Sequence, residues 1–219
     1  MSLIVVGGMI GLGKSSTADI LGKALGSEVF YESVEDNPFL NSFYTASKEE
    51  LATKRYPFLL QLYFLNTRFK AIKRALHDNK SILDRSIYED WYFAKVNHNL
   101  GKISDLEFNL YEDLLANMMQ EIEGTPKKAP DLMVYLTASF ETTLYRIGLR
   151  GREFEQDEEL FEYYRKLWSG YDEWVSHYYN ASEVLVIDMD QLDVVNNEAD
   201  GETVVNAVKE KLTEMGIAL

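Results

Sequence analysis

Eight consecutive residues, Gly8-Met9-Ile10-Gly11-Leu12-Gly13-Lys14-Ser15, fit the pattern G-x-x-x-x-G-K-[ST] at every fixed position. Glycines in such a run let the backbone turn sharply, so that successive N–H groups face inward at anionic oxygens. A helix starting near Ser15 adds its positive end, and Ser16 lies in that first turn. Lys14 supplies a mobile point charge for the outer phosphates of a nucleotide, and the Ser15 hydroxyl is placed to ligate Mg²⁺. The pattern carries weight because it lies between a continuous apolar run, Leu3 to Val6, and a helical pattern. No guanine-reading motif accompanies it, so ATP is the expected nucleotide.

Other residues bear on what receives the phosphoryl group. Glu32 follows the apolar run Val29 to Tyr31, and Asp84-Arg85-Ser86 follows Ile82-Leu83. If both runs are strands of an open parallel sheet, these residues share the crevice at the strand ends with the glycine-rich loop. A carboxylate there can take the proton of an attacking hydroxyl, and an arginine can neutralise charge on the moving group. The plainer alternatives are a surface acid at Glu32 and a local ion pair at Asp84-Arg85. Arg146, Arg150 and Arg152 stand within seven residues in an acidic chain. Arginines in that arrangement suit a lid, over residues 146–157, that closes on a triphosphate and excludes water. The alternative is a solvated basic patch beside Glu153, Glu155 and Asp157.

The elements that must position these groups alternate along the chain. Candidate strands are Leu3–Val6, Glu28–Tyr31, Ser81–Leu83, Leu132–Leu136 and Val184–Ile187. Candidate helices cover Ser15–Leu25 with Gly26 as C-cap, Lys48–His77 with a kink or break at Pro57, Tyr88–Val96, Asp105–Ile122, Phe140–Leu149, Glu158–Tyr179 and Thr203–Met215. The segment Gly124 to Pro130 reads as a loop. Strand–helix alternation throughout predicts an α/β fold, a parallel sheet with helices on both faces. Without repeats, low-complexity tracts or linkers, residues 1–219 read as one domain. Two helices carry more apolar surface than one sheet face requires: Phe58, Leu59, Leu60, Leu62, Tyr63, Phe64 and Leu65 in one, and Leu106, Leu110, Tyr111, Leu114, Leu115, Met118 and Met119 in the other. The surplus predicts a homodimer built on these helices.

Composition narrows the function classes. The net charge of −14 opposes binding to a nucleic-acid backbone, so no nucleic-acid partner is expected, and anions must be held by a local positive site. With no cysteine, disulfides, thiolate metal sites and cysteine nucleophiles are excluded. His77, His98 and His177 have no metal-ligand spacing. The aromatic run Phe161, Tyr163, Tyr164, Trp168, Tyr171 and Trp174 reads as helix packing rather than a ligand box. No signal-peptide pattern or membrane-length apolar run is present, and a cytoplasmic protein is expected.

Taken together, the Gly8–Ser15 loop, Tyr31 to Glu35, Gln61 within Phe58 to Tyr63, Asp84 to Tyr88, and Arg146 to Glu155 resemble the deoxynucleoside kinase family, in particular its bacterial deoxyadenosine/deoxyguanosine kinases. The resemblance implies a P-loop kinase fold with a five-stranded parallel sheet and an arginine-bearing lid. It implies transfer of the γ-phosphoryl of ATP to the 5′-hydroxyl of a purine deoxynucleoside, with Mg²⁺ near Ser15 and Asp84. Glu32 is implied as the base, with Asp84 as its rival, and Arg85 as the residue contacting hydroxyl and phosphoryl. Gln61 and Asp90 are implied as contacts to the base, and Tyr44 and Glu155 as contacts to the sugar 3′-hydroxyl. Gly8 to Ser16 and the lid arginines are implied as phosphate ligands. The chain departs from the family pattern with Ser33 in place of a proline and Ala94 in place of a phenylalanine, which moves base stacking to Phe93 or Phe39. Two rival functions share parts of the pattern. A nucleoside monophosphate kinase of the thymidylate kinase type requires a further cation near Glu32 for the acceptor phosphate, and none is found. A P-loop regulatory ATPase would yield no phosphorylated small molecule.

Overall fold

A computed structural model of the 219-residue chain describes residues 2–32, 34, 36–78, 80–122, 129–157 and 160–218. The strands are β1 (Ser2–Gly8), β2 (Glu28–Phe30), β3 (Lys80–Asp84), β4 (Leu132–Thr137) and β5 (Glu183–Asp188). They form one five-stranded sheet in the order β2-β3-β1-β4-β5, and every pairing is parallel. All seven residues of β1 are buried, as a central strand covered on both faces requires. Register carries the chemistry: Val6 pairs with Asp84 and Gly8 with Leu136, so the glycine-rich loop and Asp84 emerge at the same edge.

The helices are α1 (Lys14–Leu25), α2 (Leu40–Thr45), α3 (Lys48–Lys54), α4 (Tyr56–Ala75), α5 (Ile87–Asn99), α6 (Asp105–Ile122), α7 (Phe140–Arg150), α8 (Leu160–His177) and α9 (Glu198–Glu214). Gly26 ends α1 in the left-handed region, as the sequence suggests. The long helical pattern from Lys48 resolves into α3 and α4, hinged at Arg55 (φ 56°) rather than kinked at Pro57. Pro57 lies in the first turn of α4, where its missing N–H costs nothing. The six-residue helix α2 has too short a pattern to be read from sequence. The final helix begins earlier than its apolar spacing suggests, because Asn197 caps it through the Ala199 N–H. The loop expected over 124–130 falls largely outside the described residues, as do Ser33, Glu35 and the expected start of α8 at Glu158.

Helices α4, α5 and α6 pack on one another, with α4 against β2 and β3, and α1 lies against β1 and β3. On α6, Phe108 and Tyr111 are buried, whereas Leu106 and Leu110 are 82% and 50% exposed. The aromatic run of α8 is mainly packing, as expected: Tyr163, Tyr164, Tyr171 and Trp174 are buried. No described helix is long and apolar enough to cross a membrane.

Candidate active site

The glycine-rich loop joins β1 to α1. Gly8 has φ 140°, and a Cβ there would stand 2.4 Å from the Leu136 carbonyl oxygen. At Gly11 (φ 87°) a Cβ would meet Ile147 of α7 at 2.9 Å, so the loop packs against the helix that carries Arg146. Lys14 is buried and donates from Nζ to the Met9 carbonyl at 2.8 Å. Burial brings its ammonium down from 10.5 to about 8, with Arg85 adding to the effect and Asp84, Glu32 and Glu89 opposing it. The Ser15 hydroxyl donates to Asp84 Oδ2 at 2.5 Å, and Asp84 Oδ1 is buried without a partner among the described residues.

A cleft of about 1420 Å³ opens at the carboxyl ends of the strands. It is lined by Ile10, Gly11, Gly13, Lys14, Ser15 and Ser16 of the loop, by Glu32, Asp84 and Arg85 at the strand ends, and by Tyr44, Gln61, Asp90, Arg146, Arg150, Arg152 and Glu155. Of the sequence-selected residues, Gly8, Met9 and Leu12 do not line it: all three are buried, so they shape the loop. Phe93 lines the cleft, while Phe39 lies outside the lining, edge-on to Tyr63. None of the three histidines borders it.

Charge inside the cleft is tightly organised. Glu32 Oε1 accepts from Arg68 Nη2 at 3.1 Å and forms an ion pair with Arg85 Nε, also at 3.1 Å. Burial alone would push the Glu32 carboxyl up, but Arg85, Arg68 and Lys14 outweigh it and hold Glu32 below its ordinary value. Burial and the neighbouring Glu32 charge raise Asp84, against Lys14, Ser15 and Arg85. Arg85 is one of two described non-glycine residues with positive φ (73°), directly after β3. Its Nη1 lies 3.2 Å from Glu89 Oε1 and 3.3 Å from the Gly8 carbonyl, and its guanidinium rests on the Phe93 ring at 4.6 Å.

Arg68 is a functional candidate that sequence reasoning missed. It is buried, reaches Asp90 Oδ2 through Nε at 3.1 Å, and bonds the Asp84 carbonyl through Nη1. Its signal was its position: it follows Gln61 by seven residues and so shares that residue's face of α4. Burial pushes the Asp90 carboxyl up to about 6 against the pull of Arg68. Gln61 is also buried, and its Oε1 has no partner among the described residues. Glu89 was missed as well. It is the fourth residue of Ser86-Ile87-Tyr88-Glu89, a capping box at the start of α5, and its carboxylate also reaches the Gly8 N–H at 3.0 Å.

In the stretch after α7, Arg152 Nη1 and Arg150 Nη2 approach Glu155 Oε1 at 3.4 and 3.6 Å, and Glu155 Oε2 is buried and unpartnered among the described residues. Burial raises the Glu155 carboxyl, partly offset by Arg152 and Lys14. Tyr44 stacks on Phe154 at 5.4 Å, and burial pushes its phenol well up. Arg146 differs from its neighbours: its Nη2 donates to the carbonyls of Met189 and Leu192, both at 2.7 Å, tying α7 to the segment after β5.

A phosphate cradle, an acid beside an arginine, and a polar recess with unsatisfied acceptors suit transfer of a phosphoryl group to a small acceptor. The sequence profile of the deoxynucleoside kinases matches residues 4–213. The chain belongs to the deoxynucleoside kinase family. Members of this family are phosphotransferases that use ATP, and the present kinase is 47% identical over 219 residues to a deoxyguanosine kinase of Lactobacillus johnsonii, covering 99% of this chain and 95% of the relative. It is 43% identical to a deoxyadenosine kinase of Lactobacillus acidophilus, covering 99% of both chains. Among solved structures, a deoxyadenosine kinase from M. mycoides with bound dATP superposes with a TM-score of 0.75 at 31% identity, covering 96% of this kinase and 99% of that chain.

Proposed function

We propose that this kinase transfers the γ-phosphoryl of ATP to the 5′-hydroxyl of a purine deoxynucleoside, giving the 5′-monophosphate for nucleotide salvage. The observation that carries this reading is the Glu32–Arg85 pair at 3.1 Å, in one cleft with the phosphate loop on one side and the Arg68–Asp90 and Gln61 recess on the other. The purine preference is drawn from the relatives named above.

In this reading the acceptor base lies against Asp90 and Gln61, and the buried Oε1 of Gln61 needs an N–H partner. Tyr44 and Glu155 hold the sugar 3′-hydroxyl. Glu32 accepts the 5′-hydroxyl proton, its Oε1 being the oxygen nearest both arginines. Its depressed affinity for protons keeps it ionised at neutral pH, the form a base requires. Asp84 is assigned to the metal side, because its Oδ2 is held by Ser15 and its buried Oδ1 awaits a partner. One or two protein oxygens suit Mg²⁺, which usually keeps several waters and binds substrate phosphates. When bound, Mg²⁺ would neutralise charge on the phosphate oxygens. Lys14, Arg85 and the lid arginines Arg150 and Arg152 stabilise charge on the transferred group, and Arg146 steadies the lid from its base. Residues 1–219 act as one domain with a lid over 146–157.

The exposed Leu106 and Leu110, continuous with half-buried apolar residues of α6 and the adjoining α4, form the contact of a homodimer. The enzyme is assigned to the cytoplasm. The test is an acceptor panel with Mg·ATP: deoxyadenosine, deoxyguanosine, deoxycytidine, thymidine and thymidine monophosphate, with products identified by mass. Purine deoxynucleoside monophosphates are expected. Phosphorylation of thymidine monophosphate alone, or ATP loss with no phosphorylated acceptor, refutes the proposal.

A further inference from the structure

Arg85 carries a backbone conformation, φ 73°, that an L side chain holds only when its surroundings enforce it. Its surroundings include two groups that line no part of the cleft. Glu89 is 0% exposed, and its Oε1 accepts from the Gly8 N–H at 3.0 Å and Arg85 Nη1 at 3.2 Å. Its Oε2 accepts from the Ser86 N–H at 3.0 Å. Tyr171 of α8 is 2% exposed, and its hydroxyl stands in hydrogen-bond contact with Glu89 Oε1, at 3.2 Å from the Gly8 carbonyl and 3.4 Å from Arg85 Nη1. The ring is fixed by stacking on Tyr135 at 5.6 Å and by an edge contact with Tyr92 at 4.9 Å. One carboxylate and one phenol thus join the first glycine of the phosphate loop, the arginine after β3 and the start of α5.

We propose that Glu89 and Tyr171 are positioning residues for phosphoryl transfer: they lock Arg85 to Gly8, so that the arginine and the phosphate loop keep one mutual geometry through turnover. The hydrogen-bond arithmetic supports this. Arg85 Nε is held by Glu32, and Nη1 is held by Gly8, Glu89 and Tyr171. Nη2 takes part in none of these contacts and is the end left for the reacting group. The Glu89 carboxylate against Nη1, at 3.2 Å, keeps the fork turned that way. A void or a neutral group there frees the guanidinium to rotate about a backbone that is already strained. Neither residue touches the cleft, so their loss acts on the rate of transfer rather than on the capture of either substrate.

This inference rests on the role given to Arg85 above, and the experiment separates the two. Steady-state kinetics are measured for Arg85→Lys, Tyr171→Phe, Glu89→Gln and the double variant Arg85→Lys/Glu89→Gln, with circular dichroism melts on each. Tyr171→Phe is expected to lower kcat roughly 5–20-fold and Glu89→Gln roughly 10–10²-fold, with both KM values within about threefold of the parent. In the Arg85→Lys background, Glu89→Gln is expected to add less than about threefold, because the arginine it positions is gone. Tyr171→Phe removes one oxygen from a ring held by its neighbours, and so tests the idea even if Glu89→Gln does not fold. Folded Tyr171→Phe with kcat within about twofold of the parent overturns the inference, as do losses that multiply fully in the double variant. If Arg85→Lys alone leaves turnover intact, it is the assignment of Arg85 that fails.

Discussion

Replacing Arg68 by methionine isolates the largest electrostatic commitment in the acceptor recess. Its side chain is 2% exposed, and it is the ion-pair partner of Asp90, itself 5% exposed, as well as one of two arginines on Glu32. Removing one member of a buried pair costs about 3–5 kcal/mol, because the partner charge is left without compensation. For a chain of this length, about 2–4 °C of melting temperature is lost per kcal/mol, so a drop of roughly 6–20 °C is expected. The sign with pH follows from Asp90. Burial has raised its carboxyl to about 6, so the attraction to Arg68 is complete above that pH and is lost as pH falls through it. The Arg68→Met penalty is therefore largest near about pH 8 and smaller near about pH 5. Adding Asp90→Asn removes the stranded charge and is expected to restore part of the loss. Calorimetric melts of the single and double variants across that range provide the measurement. A melting temperature within about 2 °C of the parent at the upper pH, or a penalty that does not shrink on acidification, refutes the reasoning.

Glu32→Gln is expected to retain ATP binding and lose roughly 10²–10⁴-fold in turnover, the usual worth of a positioned base; near-normal kcat would show that Glu32 is not the base. ATP affinity is expected to weaken above about pH 8, up to roughly tenfold per pH unit, because free Lys14 gives up its proton there while triphosphate holds it on; a Kd independent of pH up to about 9.5 counts against this. The acceptor KM is expected to rise as pH falls below about 6, where Asp90 protonates and ceases to accept from the base; a flat profile there argues for a protonated Asp90 as the bound form. Glu substitutions at Leu106 and Leu110 together are expected to convert a dimer to a monomer in sedimentation velocity, and an unchanged mass would place the interface elsewhere.

Local patterns made much of this kinase readable. The glycine-rich loop, the β1 run and the helix behind it form a contiguous stretch whose conformation follows from glycine freedom and apolar spacing, and the five strands declared themselves as short apolar runs. The acids and arginines at the strand ends were legible because a parallel sheet brings such positions to one edge. The break at Arg55 was misplaced, since a proline tolerated in a first turn looks in sequence like a proline that stops a helix. Arg68 passed as one more charge on a helix, and Tyr171 as one more core aromatic. The sequence by itself determined the phosphate cradle, the alternation of elements and the identity of the groups at the strand ends. Only the tertiary structure decided which charges meet: the Arg68–Asp90 pair spans 22 residues, Glu32–Arg68 36 and Tyr171–Glu89 82. Contacts at such separations depend on register and crossover, and a window of local periodicity holds no record of either.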